Sequence, residues 1–395
     1  MPIKKRKPRI LMLYDFPIMG GGSGSYVKYL SLRLQEIYRY DVAIAAPESK
    51  EIDPKLKIYN LKLPQVPVYI GRPGLEKAKK YSELSPSEIT ELYNAYLKET
   101  VRVVEKFKPD IIHVHHIMIN LWVASFIRSV YGIKFIVTSH GSCLHAISQD
   151  RRYFRKTREA LKAAEMITVV SGDTRSKLLK MFGADLASKT RTIPGGVRMS
   201  LFPVKKQQKD LESLRKSLRL DSQPIVLFTG RLISEKGVEY LIKAASKIKA
   251  SIVIAGDGPQ RRKLKKLVEV RRLKNVHLLG HFDYTTLINL YYLSDVFISP
   301  AVWDEPLGLT IIEAMAAGKP VVVTRKGGVT MAVKDEFNGL FVRPRNASDI
   351  AEKVNRLLAD PSLRKKMGER ARDVVQQRFT WTSISKKFSG IYSKI

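Results

Sequence analysis

Two carboxylate side chains, Glu305 and Glu313, lie in the stretch DEPLGLTIIEAMAAGKPVVVT (304–324). On one unbroken helix, residues eight apart lie about 80° from each other, so the spacing alone does not bring both glutamates to one face. Pro306 and Gly308 instead predict a loop that ends near position 309. Carboxylates accept hydrogen bonds from hydroxyl groups, so both glutamates are candidate binding residues.

A short helix and a strand follow this loop. The helix is predicted over 310–317, because Gly318 and then Pro320 are typical of a helix end. Glu305 then lies on the loop and Glu313 within the helix. Two carboxylates on different elements can contact different parts of one ligand, and the rest of the chain must indicate which ligand.

Two cations follow the first predicted strand of the second half, in GRLISEKGVEYL (230–241). Arg231 can grip two oxygens and Lys236 supplies a point charge, so the pair beside a helix N-terminus is typical of a diphosphate site. The alternative is that both are solvated surface cations. Their position at the carboxyl end of a strand favours the diphosphate site.

A glycine loop follows the first strand of the chain, in GGGSGSYVKYL (20–30). Backbone N–H groups at Gly21 and Gly22 can approach an anion while the following helix adds partial positive charge, so a phosphate fits there. The loop has neither the G-x-G-x-x-G spacing nor the Walker lysine. A plain tight turn is the alternative.

Four histidines lie near the ends of two predicted strands, DIIHVHH (110–116) and KFIVTSH (134–140). His113 is predicted to be a core residue, whereas His140 is a candidate site residue because a glycine follows it at the end of its strand. We predict no metal site from these histidines. The chain also has no acidic D-x-D pair that would hold a divalent ion bridging phosphates.

Short apolar, β-branched runs recur with helical patterns between them, which is typical of parallel sheets covered on both faces. The first series is 9–16, 41–46, 110–116, 134–140 and 166–172, and the second is 224–230, 251–258, 275–280, 295–301, 320–324 and 338–342. The sequence therefore predicts an α/β protein with two doubly wound, Rossmann-like sheets. The segment 193–210 is the predicted linker, and helices are predicted from about 349 to the end.

The composition bounds the class of protein. A length of 395 residues suits two domains, and 44% hydrophobic with 27% charged residues is ordinary for a globular protein. The single cysteine and the lack of a run long enough to span a bilayer predict a cytoplasmic protein. The basic, then apolar start (1–16) resembles a signal peptide but is better interpreted as a tail before a strand.

The net charge of +33 is the one extreme value, and both halves of the chain share it. An evenly basic protein can bind nucleic acid, an anionic membrane face or anionic small molecules. No zinc-ligand spacing and no aromatic ribonucleoprotein pattern accompanies the charge, so a nucleic-acid partner is not expected.

The order of five motifs resembles one enzyme family. These motifs are the G-G loop, T-S-H-G (138–141), G-R-L-x3-K-G (230–237), AGDGP (255–259) and E-x7-E (305–313). Together the motifs are similar to those of the family-4 retaining glycosyltransferases of GT-B fold. The resemblance implies two Rossmann-like domains facing across a cleft, an acceptor domain at 1–200 with a helix at about 377–395 packed back on it, and a nucleotide-sugar domain at 201–376.

The resemblance also implies roles for the candidate residues. Glu313 would hold the ribose hydroxyls of a nucleoside-diphosphate sugar, and Glu305 would hold the transferred sugar. Arg231 and Lys236 would stabilise the departing diphosphate, and His140 would contact the sugar. The remaining donor contacts implied are Gly21, Gly22, Gly256, His281, Phe282, Leu307, Gly308 and Leu309.

Such an enzyme needs no metal or other cofactor when cations and helix dipoles neutralise the leaving group. The resemblance therefore implies a metal-independent hexosyltransferase that acts with retention. Two loops depart from the family pattern. PGGVR (194–198) lacks the family's asparagine and acid, and GGVTM (327–331) lacks its Pro-Glu.

Two other functions stay open from the sequence. One is a sugar-nucleotide epimerase of the same fold, and the other is a non-catalytic basic scaffold that binds nucleic acid or a membrane. The expected acceptor is a glycan, a lipid-linked molecule or another hydroxyl compound. Two segments of the first half, 64–84 and 151–165, are candidates for its recognition, and five cations with two aromatic residues in 151–158 suggest a peripheral contact with the inner membrane face.

Overall fold

The computed structural model describes residues 7–19, 21–69, 75 and 77–395. The chain divides into two compact units. Unit 1 comprises Met1–Gly195 and Trp381–Ile395, and unit 2 comprises Gly196–Thr380. The basic tail at 1–6, Gly20 of the glycine loop, and 70–74 and 76 of the candidate segment 64–84 lie outside the described residues.

Unit 1 contains, within its described residues, a seven-stranded parallel sheet. Its strands are β1 (Arg9–Tyr14), β2 (Asp41–Ala46), β3 (Lys57–Asn60), β4 (Ile111–His115), β5 (Lys134–Ser139), β6 (Met166–Val169) and β7 (Thr190–Thr192). The strand order is β3-β2-β1-β4-β5-β6-β7. Leu11 pairs with Ala43 on one side and Ile112 on the other, and all three are buried because helices cover both faces.

Helices connect these strands and cover the sheet. They are α1 (Gly22–Tyr38), α2 (Pro86–Phe107), α3 (Ile119–Tyr131), α4 (Ser142–Gln149), α5 (Phe154–Ala163) and α6 (Gly172–Phe182). Ser85 begins α2 with a capping box, in which its side chain accepts from Glu88 N and the Glu88 side chain accepts from Ser85 N. The sequence predicts the long buried strands but not β3 and β7, which are short edge strands with partly exposed side chains.

The last helix of the chain, α14 (Trp381–Tyr392), also belongs to unit 1. The Trp381 ring meets the Tyr26 ring edge-on at 5.1 Å between centroids, and Tyr392 Oη lies 2.6 Å from Nδ1 of His113. Trp381, Tyr26 and His113 are all buried. The helix is therefore part of the core of unit 1.

Unit 2, all of which the structure describes, contains a six-stranded parallel sheet. Its strands are β8 (Ile225–Thr229), β9 (Ser251–Ala255), β10 (Val276–Gly280), β11 (Val296–Ser299), β12 (Val321–Thr324) and β13 (Gly339–Val342). The strand order is β10-β9-β8-β11-β12-β13. Both sheets are doubly wound, which confirms the predicted fold class.

Seven helices surround the sheet of unit 2. They are α7 (Gln208–Ser217), α8 (Val238–Ala244), α9 (Arg261–Val270), α10 (Tyr284–Leu293), α11 (Leu309–Ala316), α12 (Ala347–Ala359) and α13 (Pro361–Arg378). The Asp360 side chain accepts from Leu363 N and Pro361 occupies the first turn, so the predicted break at Pro361 is the start of α13.

Each sheet has a point where the chain reverses its direction of winding, between β1 and β4 in unit 1 and between β8 and β11 in unit 2. Ligands of open α/β sheets bind beyond the carboxyl ends of the strands at such points. The loops after these strands carry most of the candidate residues. None of the helices in the described part of the chain combines the length and the apolar composition that a membrane span requires.

Candidate functional site

Lys236 and Glu305 form an ion pair at the carboxyl edge of the unit 2 sheet. Lys236 Nζ donates to Oε2 of Glu305 at 2.5 Å, and Trp303 Nε1 donates to the same oxygen at 3.2 Å. Only 17% of the Lys236 side chain and 11% of the Glu305 side chain are exposed. The two groups predicted to act on a diphosphate and on a sugar are thus in direct contact.

The backbone on both sides of this pair is held by neighbouring loops. Gly328 N donates to the Glu305 carbonyl at 2.7 Å, and a Cβ at Gly327 would lie 2.4 Å from that oxygen. Gly327 also has φ of 65°, which disfavours other residues. The close approach of this loop fixes Glu305, so the loop that departs from the family pattern has a positioning role here.

Helix α11 begins beside Glu305. Gly308, with φ of 78°, makes the left-handed turn that starts the helix, and its carbonyl accepts from Ile311 N at 3.0 Å. The N–H groups of Leu309 and Thr310 have no acceptor within the described part of the chain. Unpaired N–H groups and the positive end of the helix dipole make this terminus suited to an anion.

Glu313 lies on α11 with both carboxylate oxygens occupied by tyrosine hydroxyls. Tyr284 Oη donates to Oε1 at 3.0 Å and Tyr291 Oη donates to Oε2 at 2.8 Å. Loss of hydration raises the pKa of Glu313 to about 7, and the two tyrosine hydrogen bonds partly offset that rise. Each oxygen keeps a second lone-pair direction, so the carboxylate can still accept from a pair of hydroxyls.

The first two strands of unit 2 end in loops that pack backbone against backbone. A Cβ at Gly256 would lie 1.9 Å from the Gly230 carbonyl, and one at Gly258 would lie 2.7 Å from the Leu232 carbonyl. Glycine is therefore required at Gly256 by loop packing, independently of any ligand. Arg231 follows Gly230 in this loop and is partly buried.

The remaining candidates of unit 2 lie at the same sheet edge. His281 and Phe282 follow β10, with His281 exposed and Phe282 partly buried. Leu307 and Gly308 are buried, whereas Leu309 is partly exposed. Every unit 2 residue singled out by the sequence thus lies in a loop after a strand or in the helix that follows such a loop.

Four imidazoles form a cluster near the carboxyl ends of β4 and β5 in unit 1. His115 Nδ1 and His140 Nε2 lie 3.2 Å apart, and the rings of His113 and His115 stack at 4.2 Å between centroids. His116 lies beside His140, with ring centroids 4.8 Å apart. Loss of hydration lowers the pKa of His140 to about 3, so its ring is neutral at physiological pH.

His113 and His140 differ in burial and in the hydrogen bonds of their ring nitrogens. His113 is fully buried, with its ring nitrogens bonded to Tyr392 Oη and Thr138 Oγ1 at 2.6 Å and 2.7 Å. His140 is partly exposed at the end of β5. Its Nδ1 is the ring nitrogen that is not engaged with His115, so a neutral, uncharged contact can form there.

The glycine loop leads directly into α1. Gly21 precedes the helix in an extended conformation, Gly22 is its first residue, and Gly21 has no side chain that could cap the N-terminus. Gly24 is constrained more tightly than either, since a Cβ there would lie 1.9 Å from the Ile18 carbonyl. Tyr14 Oη and Ser23 Oγ lie 2.8 Å apart, which ties the loop to the end of β1.

Asp15 is a buried carboxyl that the sequence analysis did not single out. It follows β1, is 1% exposed, and accepts hydrogen bonds from Tyr69 Oη and from Asn120 Nδ2, the latter at 2.6 Å. Tyr96 Oη donates to its backbone carbonyl at 3.1 Å. Burial raises the pKa of Asp15 to about 7, and the hydrogen bonds from Tyr69 and Asn120 offset that rise only in part.

The basic stretch 151–158 differs from the exposed aromatic helix that its sequence suggests. Tyr153 is fully buried, and Phe154 stacks on Phe182 with centroids 5.2 Å apart. Arg152 pairs with Asp150 at 2.7 Å. Tyr153 therefore belongs to the core of unit 1, and Phe154 is partly buried against it.

No group of three or more His, Cys, Asp or Glu side chains is placed to hold a metal ion in the part of the chain that the structure describes. The site residues that the sequence missed are Trp303, Tyr284 and Tyr291, which hold the two glutamates. Their aromatic character resembles that of core residues, so the sequence carries no signal for these contacts.

The two units define the class of protein. The structure of the chain is similar to that of sucrose-phosphate synthase from Thermosynechococcus elongatus, with a TM-score of 0.81, 25% identity, and coverage of 98% of this chain and 99% of that one. It is also similar to Anabaena HepE solved with UDP-glucose, with a TM-score of 0.77, 20% identity, and coverage of 98% and 100%. The fold is GT-B.

Family models and relatives then identify the family. The model described as glycosyl transferases group 1 matches residues 210–374, and that described as glycosyltransferase family 4 matches residues 20–201. An uncharacterized glycosyltransferase of Methanocaldococcus jannaschii is 31% identical over 297 residues, which cover 72% of this chain and 75% of the relative. Alpha-D-kanosaminyltransferase of Streptomyces kanamyceticus is 30% identical, with coverage of 67% and 72%. The chain belongs to the group 1 glycosyltransferases of family 4, as its motifs suggest, and it is a glycosyltransferase.

Proposed function

We propose that the protein transfers a sugar from a nucleoside-diphosphate sugar to a hydroxyl acceptor, with retention and without a metal ion. The observation that carries this proposal is the Lys236–Glu305 ion pair, 2.5 Å long and largely buried, beside the unpaired N–H groups at the start of α11. A cation and a helix terminus at one sheet edge are suited to a diphosphate, and the adjoining carboxylate is suited to a sugar hydroxyl.

The diphosphate is the leaving group in this proposal. Lys236 and Arg231 neutralise the charge that develops on it, together with the N-terminus of α11. Gly21 and Gly22 approach its phosphates through their backbone N–H groups. Because fixed cations and dipoles supply the stabilisation, the reaction needs no divalent ion.

The nucleoside of the donor is assigned to residues at the carboxyl edge of the unit 2 sheet. Glu313 accepts hydrogen bonds from the ribose hydroxyls, and His281 and Phe282 lie near the base. Gly256 borders the donor through its backbone. Support comes from HepE, which has been solved with UDP, with UDP-glucose, and with UDP and glucose.

The transferred sugar is assigned to Glu305, to the start of α11 and to His140. Glu305 and the backbone of Leu307, Gly308 and Leu309 bind its hydroxyls, and His140 contacts it through a neutral imidazole. A neutral ring suits this role, because it exchanges hydrogen bonds with a hydroxyl without adding charge beside the reacting carbon.

The bond changes of the reaction involve the donor and acceptor alone. The bond between the anomeric carbon and the diphosphate oxygen breaks, and the acceptor oxygen bonds to the same face of that carbon. The acceptor's proton passes to the leaving phosphate oxygen. No side chain of this protein is assigned as a nucleophile, and the protein supplies positioning and charge stabilisation.

The acceptor class completes the proposal. A glycan or a lipid-linked hydroxyl compound, used at the inner membrane face, fits a protein with a net charge of +33. Peripheral attachment to anionic lipid would bring a lipid-linked acceptor to the enzyme.

The test is a screen of UDP-, GDP- and ADP-sugars with the purified protein, with and without a panel of hydroxyl acceptors. We expect release of a nucleoside diphosphate that depends on an acceptor, persists in excess chelator, and yields a product whose anomeric configuration by NMR matches that of the donor. Donor isomerisation without an acceptor would establish an epimerase instead. A complete loss in chelator that magnesium restores would contradict the leaving-group chemistry.

A further inference from the structure

Helix α9 and the turn after it (261–274) carry the densest positive charge of unit 2. These fourteen residues contain eight cations and one acid, Glu269, and consist only of Arg, Lys, Leu, Val and Glu. We call this segment the basic helix surface. The apolar side of α9 is packed on unit 2: Leu264 is buried, and Leu267 and Val268 pack against the core.

Three cations of the basic helix surface have ion-pair partners. Arg261 pairs with Asp257 at 3.8 Å, Lys263 with Glu239 at 3.4 Å, and Lys265 with Glu269 at 3.9 Å. The other five are exposed and have no ion-pair partner in any described residue; they are Arg262, Lys266, Arg271, Arg272 and Lys274.

The fold gains little from these five unpaired cations. Arg262 lies in the first turn of α9, where the positive end of the helix dipole disfavours a cation. Arg262 and Lys266 are four residues apart on one face, a spacing at which like charges repel. A cluster of charges that opposes helix stability and has no internal partner is suited to an external anion.

One exposed aliphatic side chain lies among these cations. Val270, the last residue of α9, is 71% exposed, and Arg271 and Arg272 follow it directly. An aliphatic residue flanked by cations is typical of segments that rest on a lipid surface, where the side chain enters the headgroup region.

The basic stretch 151–158 has a different organisation. Arg158 Nε donates to the Phe182 carbonyl at 2.8 Å, and Arg152 Nη1 donates to the Leu84 carbonyl at 2.8 Å. Arg155 and Lys156 both pair with Glu159. Arg152 and Arg158 thus hold neighbouring parts of unit 1 together, whereas the five unpaired cations of the basic helix surface make no such contact with a described residue.

We propose that the basic helix surface binds anionic phospholipid headgroups, with the five unpaired cations on phosphates and Val270 in the headgroup layer. Charge complementarity selects an anionic partner. A nucleic acid is the poorer occupant, because the surface has no aromatic ring to stack on bases and no amide to read their edges. The proposal concerns a surface of unit 2 and does not depend on the transfer reaction.

The first experiment is co-sedimentation of the full chain with vesicles. The vesicles are an equal mixture of phosphatidylglycerol and phosphatidylcholine, or phosphatidylcholine alone. One variant replaces Arg262, Lys266, Arg271, Arg272 and Lys274 with Gln. A matched control replaces five exposed lysines of unit 2 that also lack ion-pair partners within the described residues, namely Lys205, Lys209, Lys216, Lys249 and Lys366.

We expect the native chain to bind the anionic vesicles only, and binding to fall as salt rises to about 0.5 M. The basic helix variant should bind the anionic vesicles at least about tenfold more weakly than the native chain. The control variant should bind nearly as the native chain does. Both variants lose five positive charges. Equal losses of vesicle binding in the two variants would therefore show a diffuse effect of net charge and overturn the proposal.

The second experiment reports the depth of Val270. The single cysteine, Cys143, is buried, so a cysteine introduced by Val270→Cys can be labelled selectively with an environment-sensitive fluorophore. The matched control is Val204→Cys, at a position of unit 2 that is 79% exposed and outside the basic helix surface.

We expect a blue shift of the label at position 270 on adding anionic vesicles and no shift at position 204. A short DNA duplex, added instead of vesicles, should leave both labels unchanged. A shift at 270 with the duplex but not with vesicles would identify a nucleic-acid surface, and the absence of a vesicle shift at 270 would overturn the lipid assignment.

Discussion

Lys236 Nζ lies 2.5 Å from Glu305 Oε2, although 69 residues separate the two positions in the chain. Both side chains are more than four-fifths buried, and Trp303 also donates to the same carboxylate oxygen. In such a setting each charge depends on the other for its orientation and solvation. The pair therefore acts as a unit, and a change at either residue alters both.

Removal of either partner should abolish transfer without unfolding the protein. We expect Lys236→Ala and Glu305→Gln each to lower kcat by about 100-fold or more, the effect typical of losing one preorganised charge contact. The double variant should be little worse than either single one, because residues that act as a unit are not additive. Steady-state kinetics and circular dichroism check this.

The control for this pair is Lys243→Ala, which breaks an ion pair of α8 with Glu239 that is 3.4 Å long and more exposed. Exposed pairs contribute about 0 to 1 kcal/mol to stability, so this variant should keep nearly full activity. Full activity in both Lys236→Ala and Glu305→Gln would contradict the proposed site.

Tyr284→Phe or Tyr291→Phe should move the pH dependence of donor binding to higher pH. Loss of hydration raises the pKa of Glu313 to about 7, and each tyrosine hydroxyl lowers it in part by donating to the ionised carboxylate. Since the ionised form accepts hydroxyls better, affinity should rise as pH rises through the pKa, and loss of one donor should raise that midpoint.

Calorimetric titration with the nucleoside diphosphate of the donor, over a pH series, measures this midpoint. Tyr240→Phe is the matched control, because its hydroxyl makes no hydrogen bond with any described residue. A midpoint that is the same in all three variants as in the native chain would show that Glu313 does not govern donor affinity.

Gly327→Ala should impair catalysis by moving Glu305. The new Cβ would lie 2.4 Å from the Glu305 carbonyl oxygen, at a position with φ of 65°. We expect kcat to fall about tenfold or more, since misplacement of a positioned group by about 1 Å can cost up to 100-fold. Gly172→Ala, at a glycine with nothing within 4 Å of its added Cβ, should have native kinetics. Equal kinetics in the two variants would refute the positioning role of Gly327.

Asp15→Asn should make the stability of unit 1 less sensitive to rising pH. The pKa of Asp15 is raised from 3.8 to about 7 on folding. A raised pKa contributes stability that is fully present below about pH 4 and is lost as pH rises to about 7, a change of up to about 4 kcal/mol. Relative to the native chain, the variant should therefore gain stability across this range.

Denaturant unfolding of the native chain and of the Asp15→Asn variant, at a series of pH values, measures the difference in their free energies of unfolding. His113 and His140 act in the opposite direction, because their pKa values are lowered to about 3 and their contribution is lost as pH falls below about 6.5. Those histidines are present in both proteins, so their effect cancels in the comparison. If the free energies of unfolding of the native chain and the Asp15→Asn variant differ by the same amount, within about 1 kcal/mol, from pH 4 to pH 8, the raised pKa of Asp15 is contradicted.

The fold was predictable because a buried parallel strand is a continuous apolar run. The runs at 224–230 and 320–324 contain β8 and β12 as the structure has them. Edge strand β3 has one buried residue of four, so it leaves no such pattern. Helix α11 begins at Leu309, one residue before the predicted start, because Gly308 supplies the turn that begins it.

The sequence predicted contacts of the candidate site only between residues in loops that follow strands, because such loops meet at the same edge of a parallel sheet. Glu305 and Lys236 each follow a strand at the same sheet edge, so their approach follows from the topology. The contacts of Tyr284 and Tyr291 with Glu313 depend instead on how α10 packs against α11. Sequence patterns show which face of a helix is apolar, but not which hydroxyl reaches across to a neighbouring helix.

Helix α14 has a consequence for the order in which the protein is made. Unit 1 contains the first 195 residues of the chain, yet the Trp381 ring that packs against Tyr26 is translated after the whole of unit 2. During synthesis unit 2 can complete its core while unit 1 still lacks a buried helix. The half that leaves the ribosome first is therefore the last to mature, and a nascent chain must keep the Tyr26 surface from aggregating until its final helix emerges.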